Sequence, residues 1–180
     1  MKICMYGAAS DNISDTYKIN VNLLGKEIAK RGHSLVYGAG GCGLMGACAK
    51  GVIENGGKVV GVTPHFMHDI EDIYEECTEL VYTETMAERK EYMEENADAF
   101  VIVPGGIGTY DEFFQVLTLK QLKQLDKPIV VYNINGYYDY LPSMIGSGIF
   151  KGFISPEVAN AFVMCETYED VVTAAERKTI

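Results

Sequence analysis

Positive charge is scarce in this chain, and long hydrophobic runs are absent. Its 15 lysine and arginine residues are outnumbered by 25 aspartate and glutamate residues, which gives a formal net charge of −10. Nucleic-acid phosphates are bound by clustered basic side chains, so this balance argues against a nucleic-acid partner but not against a small phosphorylated ligand. No apolar stretch approaches the length of a membrane span, and the start MKICMYGAAS turns polar too soon for a signal peptide. We therefore expect no membrane association.

Paired cysteine motifs and the common NTPase motif are also missing. The five cysteines are an odd number and include no CxxC pair, which predicts free thiols and a location in the reducing cytoplasm. No G-x-x-x-x-G-K-[ST] segment occurs, so the chain is not a P-loop NTPase. With 180 residues and no repeat, low-complexity segment or linker, it is expected to form a single domain over residues 1–180.

Strand patterns alternate with helix patterns along the whole chain, which predicts a parallel sheet with helices on both faces. Ligands in such folds bind beyond the carboxyl ends of the strands. Strands are predicted at 2–7, 34–38, 58–64, 79–84, 99–103, 127–133 and 161–167. Helices are predicted at 15–31, from the second glycine-rich segment to about 55, and at 85–96, 110–125, 136–150 (broken near Pro142) and 168–177. Residues 65–78 are expected to be a loop with a short helical piece.

The functional prediction centres on PGGIGTYDE, residues 104–112. This segment follows AFVIV, a short apolar run typical of a buried parallel strand, and precedes a predicted helix. A glycine-rich turn in that position presents backbone N–H groups and the positive end of the helix dipole together, which predicts a phosphate site. Its glycines, Gly105, Gly106 and Gly108, permit close approach of a ligand.

Thr109 and Glu112, in the second half of that segment, have a structural and a functional interpretation. The spacing Thr109-x-x-Glu112 fits a capping box, with Thr109 as N-cap and Glu112 at the third helical position. A carboxylate beside a bound phosphate adds nothing to affinity, however, so Glu112 is also a candidate catalytic group. The two roles are compatible.

A second glycine-rich segment, GAGGCG at 38–43, matches the G-x-G-x-x-G spacing of dinucleotide-binding folds. The acidic residue expected at the end of the next strand is missing, and the match falls in the second strand–helix turn instead of the first. A nicotinamide enzyme is therefore disfavoured. Two interpretations stay open: a tight turn that packs helix against sheet, or nucleotide contact through Gly43, Leu44 and Met45.

The segment TMAERK at 85–90 contains an arginine without a local partner. Lys90 can pair with Glu94 four residues later, as is usual on a solvated helix face. The neighbours of Arg89 at helical spacing include no carboxylate, which indicates a more distant partner such as a phosphate or Glu112. The sequence HFMHD at 65–69 could suggest a metal, but no second cluster of ligand types accompanies it, so no metal site is predicted.

Together these segments make the chain resemble the LONELY GUY family of cytokinin riboside 5′-monophosphate phosphoribohydrolases, many of which carry the label "possible lysine decarboxylase". The resemblance runs from KICMYG nearly to the C-terminus, through LVYGAGGCGLMG, GGKVVGVTP, TMAERK, ADAFVIVPGGIGTYDE and DKPIVVYNINGYYDYL. The pair formed by the ERK segment and PGGxGTxxE is specific and complete here. The resemblance implies a Rossmann-like homodimer that cleaves a purine nucleoside 5′-monophosphate to free base and ribose 5-phosphate, with no metal or organic cofactor.

Carried over by position, the resemblance implies that Arg89 and Glu112 are the catalytic pair. The implied substrate-binding residues lie in the first loop, the two glycine-rich segments and the ERK segment: Ser10, Gly43, Met45, Arg89, Lys90, Gly105, Gly106, Gly108, Thr109 and Glu112. Ala87 stands where many relatives have histidine, and Asp111 where many have glutamate, which could alter substrate choice. A pyridoxal phosphate decarboxylase needs a Schiff-base lysine, and no segment singles one out.

Two alternatives and one open question remain at this level. A non-catalytic nucleotide or molybdenum-cofactor carrier would keep the glycine-rich segments but would not need Arg89 with Glu112. A broad nucleosidase acting on AMP is the closer alternative. The apolar residues of the predicted helix at 110–125 occupy more than one buried stripe, which indicates either a second subunit or a deep position in the protein's own core. The resemblance favours a homodimer.

Overall fold

The structure is a computed structural model that describes residues 1–70 and 72–177. Seven short runs rich in β-branched and aromatic residues form strands. They are β1 (Lys2–Tyr6), β2 (Ser34–Tyr37), β3 (Lys58–Pro64), β4 (Glu79–Thr83), β5 (Ala99–Ile102), β6 (Ile129–Tyr132) and β7 (Val163–Cys165). All seven pair in parallel in one sheet with the order β4-β3-β2-β1-β5-β6-β7. The predicted Rossmann-like parallel sheet is confirmed.

Helices cover both faces of the sheet. They are α1 (Asp15–Lys30), α2 (Gly43–Ile53), α3 (Met86–Asn96), α4 (Ile107–Gln121), α5 (Tyr140–Phe150) and α6 (Tyr168–Ala175). The apolar faces of α1, α2 and α6 form one core with Ile3 and Met5 of β1, whereas those of α3, α4 and α5 form a second core with Cys4 and Tyr6. Successive side chains of a strand point to opposite faces, which explains this division.

The predicted bounds of two helices were wrong. The helix predicted at 110–125 begins earlier, at Ile107, and ends at Gln121. The helix predicted at 136–150 begins at Tyr140 and continues through Pro142 without a break. Pro142 lies in the first turn, where a backbone N–H has no partner within the helix, so proline costs little there. Residues Ile134–Gly136 and Pro156–Asn160 form short 3-10 turns that the sequence did not predict.

The prediction of a loop with a short helical piece at 65–78 is confirmed for the described residues of that segment, because His65–Asp69 is a 3-10 turn; residue 71 lies outside them. No helix in the described parts of the chain has both the length and the hydropathy needed to cross a membrane.

The strand order places a topological switch point beside β1. The chain leaves β1 toward β2 on one side, and later returns to β1's other side with β5. Loops that follow β1 and β5 therefore diverge, which opens a crevice at the carboxyl ends of these strands. The first loop, 7–14, and the loop at 103–106, which contains the start of the predicted phosphate segment 104–112, border this crevice.

Candidate active site

A cleft of about 330 Å³ lies at this switch point. Its wall combines the loop after β1, the start of α4, one face of α3 and several methionines. The lining residues are Gly7, Ala8, Ala9, Ser10, Met45, Met67, Met86, Arg89, Gly106, Gly108, Thr109, Asp111 and Glu112. One cleft thus contains both halves of the motif pair on which the functional prediction rests.

Arg89 is a buried cation in the wall of this cleft, with 8% of its surface exposed. Its Nε donates a hydrogen bond to the carbonyl of Val62 at 3.0 Å, and its guanidinium approaches Glu112 Oε1 at 3.3 Å. Gly38 makes room for it, because a Cβ at Gly38 would lie 1.8 Å from the guanidinium. The distant partner expected for Arg89 is therefore Glu112.

Glu112 is largely buried as well, with 11% of its side chain exposed. The capping box predicted for it was wrong. Helix α4 begins at Ile107 with Gly106 as its N-cap, so Glu112 lies in the second turn, beyond reach of the N-cap amide. The glycines allow the chain to enter the helix earlier, and the Thr109 hydroxyl packs back against Gly105, where a Cβ would lie 2.1 Å from Oγ1. Helix capping therefore does not account for Glu112.

The glycine-rich turn before α4 is open toward the cleft. The N-cap residue of α4 is Gly106, which has no side chain with which to cap the helix. A Cβ at Gly106 or at Gly108 would meet no atom within 4 Å. The free first turn of a helix presents N–H groups and positive potential, which is what a phosphate requires.

The N-terminus of α2 is closed by the protein itself. Asp11 Oδ1 accepts a hydrogen bond from the amide of Gly43 at 3.0 Å, and the carbonyl of Ala8 accepts from Leu44 and Met45 at 2.9 and 3.2 Å. The bond from Gly43, with those from Lys18 and Cys42, lowers the pKa of Asp11 to about 2. At Gly43 the geometry favours the tight-turn interpretation of the second glycine-rich segment.

Comparison with known proteins assigns the chain to a family. The family model described as "Possible lysine decarboxylase" matches residues 45–175. The cytokinin riboside 5′-monophosphate phosphoribohydrolase LOG5 of Arabidopsis thaliana is 34% identical over 97% of this chain and 77% of that protein. The enzyme of the same name, LOG, from Oryza sativa subsp. japonica is 35% identical over 97% of this chain and 72% of that protein. The chain belongs to the LONELY GUY family.

Solved structures show the same fold at lower identity. The molybdenum cofactor carrier protein of Chlamydomonas reinhardtii superimposes with a TM-score of 0.72 at 21% identity, over 96% of this chain and 94% of that one. The molybdenum cofactor binding protein of Rippkaea orientalis gives 0.70 at 18% identity, over 96% and 91% of the two chains. Proteins named for other functions therefore share the fold of this LONELY GUY family member.

Most of the substrate-binding positions implied by the family resemblance line the cleft. They are Ser10, Met45, Arg89, Gly106, Gly108, Thr109 and Glu112. Gly43, Gly105 and Lys90 are not among the residues that line this cleft. Gly105 instead borders a neighbouring apolar cavity of about 260 Å³, together with Tyr17, Leu44 and Tyr137.

The sequence predicted that Lys90 pairs with Glu94, but in the structure Lys90 pairs with another residue. Its Nζ lies 2.9 Å from Asp111 Oδ2, whereas Glu94 accepts a hydrogen bond from the Gln115 amide. Asp111 is a position at which the chain departs from many relatives, and it lines the cleft. Burial raises the pKa of Glu94. The cross-helix pair brings α3 and α4 together directly beside Arg89 and Glu112.

Met67 and Met86 are cleft residues that the sequence did not reveal. They line the cleft together with Met45, and the three side chains give its wall an apolar part. Met86 begins α3 and could have been found from its place beside the ERK segment. Met67 belongs to the weakly periodic segment, in which no pattern distinguished it.

The histidines near the cleft have structural partners. The rings of His65 and His68 both stack on Tyr82, with centroids 5.0 and 5.5 Å apart. Across residues 1–70 and 72–177, no three His, Cys, Asp or Glu side chains are arranged to hold a metal ion. No lysine is among the described residues that line the cleft.

Proposed function

We propose that this protein hydrolyses the N-glycosidic bond of purine nucleoside 5′-monophosphates, to give the free base and ribose 5-phosphate. The observation that carries the proposal is the pairing of two largely buried groups, Arg89 and Glu112, at 3.3 Å beside an open glycine-rich helix N-terminus. Relatives more than 30% identical over nearly the whole chain are named for this activity.

The phosphate is proposed to bind at the start of α4. Backbone amides of Gly106, Gly108 and Thr109 and the Thr109 hydroxyl would hold it, aided by the helix dipole. Anchoring the phosphate here fixes the position of the ribose, so that the glycosidic bond is presented to Glu112. The purine then extends toward the apolar side of the cleft.

Glu112 is proposed to promote bond cleavage directly. Departure of the base builds positive charge on the ribose, and a carboxylate beside the anomeric carbon stabilises that charge. The same carboxylate orients the attacking water, whose oxygen bonds to the anomeric carbon as the bond from that carbon to the base nitrogen breaks. The proton that the water loses ends on the released base, directly or through Glu112. Arg89 holds Glu112 in place through their ion pair.

We also propose that the chain acts as one cytoplasmic domain that associates as a homodimer. All five cysteines are free thiols, as a reducing compartment favours. Among the described residues, three apolar side chains in α4 or at its C-terminal end are exposed. The exposed fraction is 84% for Ile107, 36% for Phe114 and 59% for Leu122. Apolar side chains on an exposed helix face are suited to a second copy of the chain.

The decisive experiment is incubation with AMP and with N6-isopentenyl-AMP, followed by assay of free base and ribose 5-phosphate. Release from either nucleotide, with much slower release from the matching nucleoside, is the expected result, because the nucleoside lacks the anchoring phosphate. Faster release from the N6-modified nucleotide would identify a cytokinin-activating enzyme, and faster release from AMP a broader nucleosidase.

The carrier alternative predicts a different outcome in the same experiment. A nucleotide or molybdenum-cofactor carrier would bind its ligand tightly and release no base from either nucleotide. That result would overturn the hydrolase proposal. The ion pair between Arg89 and Glu112 favours the enzyme, because binding alone does not require a carboxylate beside the phosphate site.

A further inference from the structure

Two adjacent tyrosines lie behind the glycine-rich turn, in the loop between β6 and α5. The hydroxyl of Tyr138 donates to the carbonyl of Val103 at 2.9 Å, and that of Tyr137 donates to the carbonyl of Gly105 at 2.7 Å. The two contacts lie on either side of Pro104, where β5 has ended and the turn begins. None of the proposed catalytic roles uses these tyrosines.

The tyrosine loop is itself rigid. The side chain of Asn133 accepts a hydrogen bond from the Tyr138 amide and donates one to Asp139, both at 2.7 Å. Tyr138 is fully buried, and burial raises the pKa of its hydroxyl, so this group stays protonated and remains a donor. The rings of Tyr137 and Tyr138 meet edge to face with centroids 4.9 Å apart.

Holding a carbonyl also fixes the direction of the next amide. In a planar trans peptide group the C=O and N–H bonds point in opposite directions, and the described chain contains no cis peptide bond. When Tyr137 binds the carbonyl of Gly105, the N–H of Gly106 is therefore aimed away from Tyr137. Gly106 separates the apolar cavity on the Tyr137 side from the polar cleft.

We infer that Tyr137 and Tyr138 are positioning residues that preset the phosphate-binding turn before substrate arrives. Tyr138 fixes the end of β5, and Tyr137 fixes the peptide group that presents the Gly106 amide to the phosphate. Preset donors need no rearrangement on binding, which increases affinity for the anion selectively. The inference rests on the proposed function, because it presumes that the turn receives a phosphate.

The test compares Tyr137→Phe with Tyr140→Phe by calorimetric titration with ribose 5-phosphate, AMP and adenosine. Tyr140 is the control, because the residue is 45% exposed and its hydroxyl contacts that of Tyr110, which lies 3.5 Å from the Tyr137 hydroxyl, so the variant perturbs the same cluster of hydroxyl groups without removing the bond to Gly105. We expect Tyr137→Phe to weaken both phosphorylated ligands about three- to tenfold, the range of one hydrogen bond, and to leave adenosine unchanged. In turnover, KM for AMP rises while kcat changes less.

Three outcomes would overturn the inference. One is equal affinity for ribose 5-phosphate in Tyr137→Phe and Tyr140→Phe, and another is an equal loss for adenosine and AMP. The third is a wild type that binds no phosphorylated ligand, which would also remove the phosphate site itself. A wild type that binds AMP but releases no base contradicts only the hydrolase proposal. Tyr138→Phe, which loses the bond to the carbonyl of Val103, is expected to weaken the same two phosphorylated ligands; if it does not fold, the Tyr137→Phe result decides alone.

Discussion

Two glycine-rich segments lie at the carboxyl ends of β2 and β5, on either side of β1, and each leads into a helix. At the start of α2, the amides of Gly43 and Leu44 are already bonded to Asp11 and Ala8 of the protein itself. At the start of α4, the N-cap residue Gly106 has no side chain to cap the helix, and the space that a Cβ of Gly106 would occupy is empty.

This difference shows that a glycine-rich strand–helix turn is not by itself an anion site. In the segment at 38–43 a carboxylate from the same chain takes the place that a phosphate could have occupied. The glycines there provide space for other groups: Gly38 for the Arg89 guanidinium, and Gly40 for Met45, whose Cε would lie 2.5 Å from a Cβ. The segment at 38–43 therefore helps to build the cleft, and the segment at 104–112 is the one we propose to bind a phosphate.

Among the variants that test this comparison, Glu112→Gln is expected to have the largest effect on activity. The substitution keeps the size of the side chain but removes the charge that faces the buried Arg89, so it should also lower the free energy of unfolding, by up to about 3–5 kcal/mol. We expect kcat for base release to fall roughly 10²- to 10⁴-fold, the usual contribution of a general base, with AMP affinity retained. Steady-state kinetics and a thermal melt measure both quantities.

Asp111→Asn is the matched control in the same helical turn. It loses only the partly exposed pair with Lys90, which is worth about 0–1 kcal/mol. If Glu112→Gln kept activity within about threefold of the Asp111→Asn variant, the role proposed for Glu112 would be wrong.

The next effect concerns the glycine-rich segment at 38–43, where the protein itself binds the amides at the start of α2. Gly43 has φ +60°, and an added Cβ would lie 2.6 Å from the carbonyl of Ser10 and 2.7 Å from that of Ala8. We expect Gly43→Ala to lower the free energy of unfolding by about 2–4 kcal/mol, from backbone strain together with these clashes. Urea denaturation measures the loss.

Gly56→Ala separates the two causes. Gly56 has a similar φ of +76° but nothing within 4 Å of an added Cβ, so this variant reports backbone strain alone. Equal losses in the two variants would mean that the contacts with the first loop contribute nothing.

In the glycine-rich segment at 104–112 we expect the opposite: a glycine substitution that affects ligand affinity more than stability. Gly106 has φ −93°, and its Cβ would meet no protein atom, so Gly106→Ala should change stability by less than about 0.5 kcal/mol. The methyl group would stand where the phosphate is proposed to bind, and we expect affinity for ribose 5-phosphate to fall about tenfold, or 1.4 kcal/mol. Gly146→Ala in α5, equally free of contacts, should leave that affinity unchanged. Wild-type affinity in Gly106→Ala would count against the phosphate site.

The smallest effect is a pH dependence of stability that comes from Asp11, which binds the amide of Gly43 in the segment at 38–43. The pKa of Asp11 is about 2 in the folded protein, against 3.8 for an ordinary aspartate. A lowered folded pKa contributes stability above pH about 4, and this contribution is lost as pH falls from there to about 2. We expect wild type to be more stable than Asp11→Asn at neutral pH, with the difference shrinking below pH 4. A difference in urea midpoint that stays constant from pH 7 to pH 3 would contradict this role.

Much of the fold could be predicted from sequence, because its strands are short apolar runs and its helices have clear boundaries. The first helix, for example, was predicted at 15–31 and is found at Asp15–Lys30. Interactions between residues close in sequence were less reliable. The Thr-x-x-Glu spacing matched a capping box, yet the preceding glycines let α4 begin earlier. Lys90 had a partner available at Glu94, yet it pairs with Asp111.

Contacts between distant segments explain the rest. Asp11 lies 32 residues before the amide that it binds, and Tyr137 lies 32 residues after the carbonyl that it holds. No local periodicity encodes such contacts, since they exist only once the strands have assembled. The motif pair of Arg89 and Glu112 was predictable because a missing local partner is itself visible in the sequence.

The most direct test of the central comparison is an NMR titration of ¹⁵N-labelled protein with ribose 5-phosphate. Each helix N-terminus carries its own reporter amides, so one experiment examines both segments. We predict saturable shifts of the amide signals of Gly106, Gly108 and Thr109, and little change at Gly43 and Leu44. Shifts at Gly43 and Leu44 without shifts at Gly106–Thr109 would contradict the account.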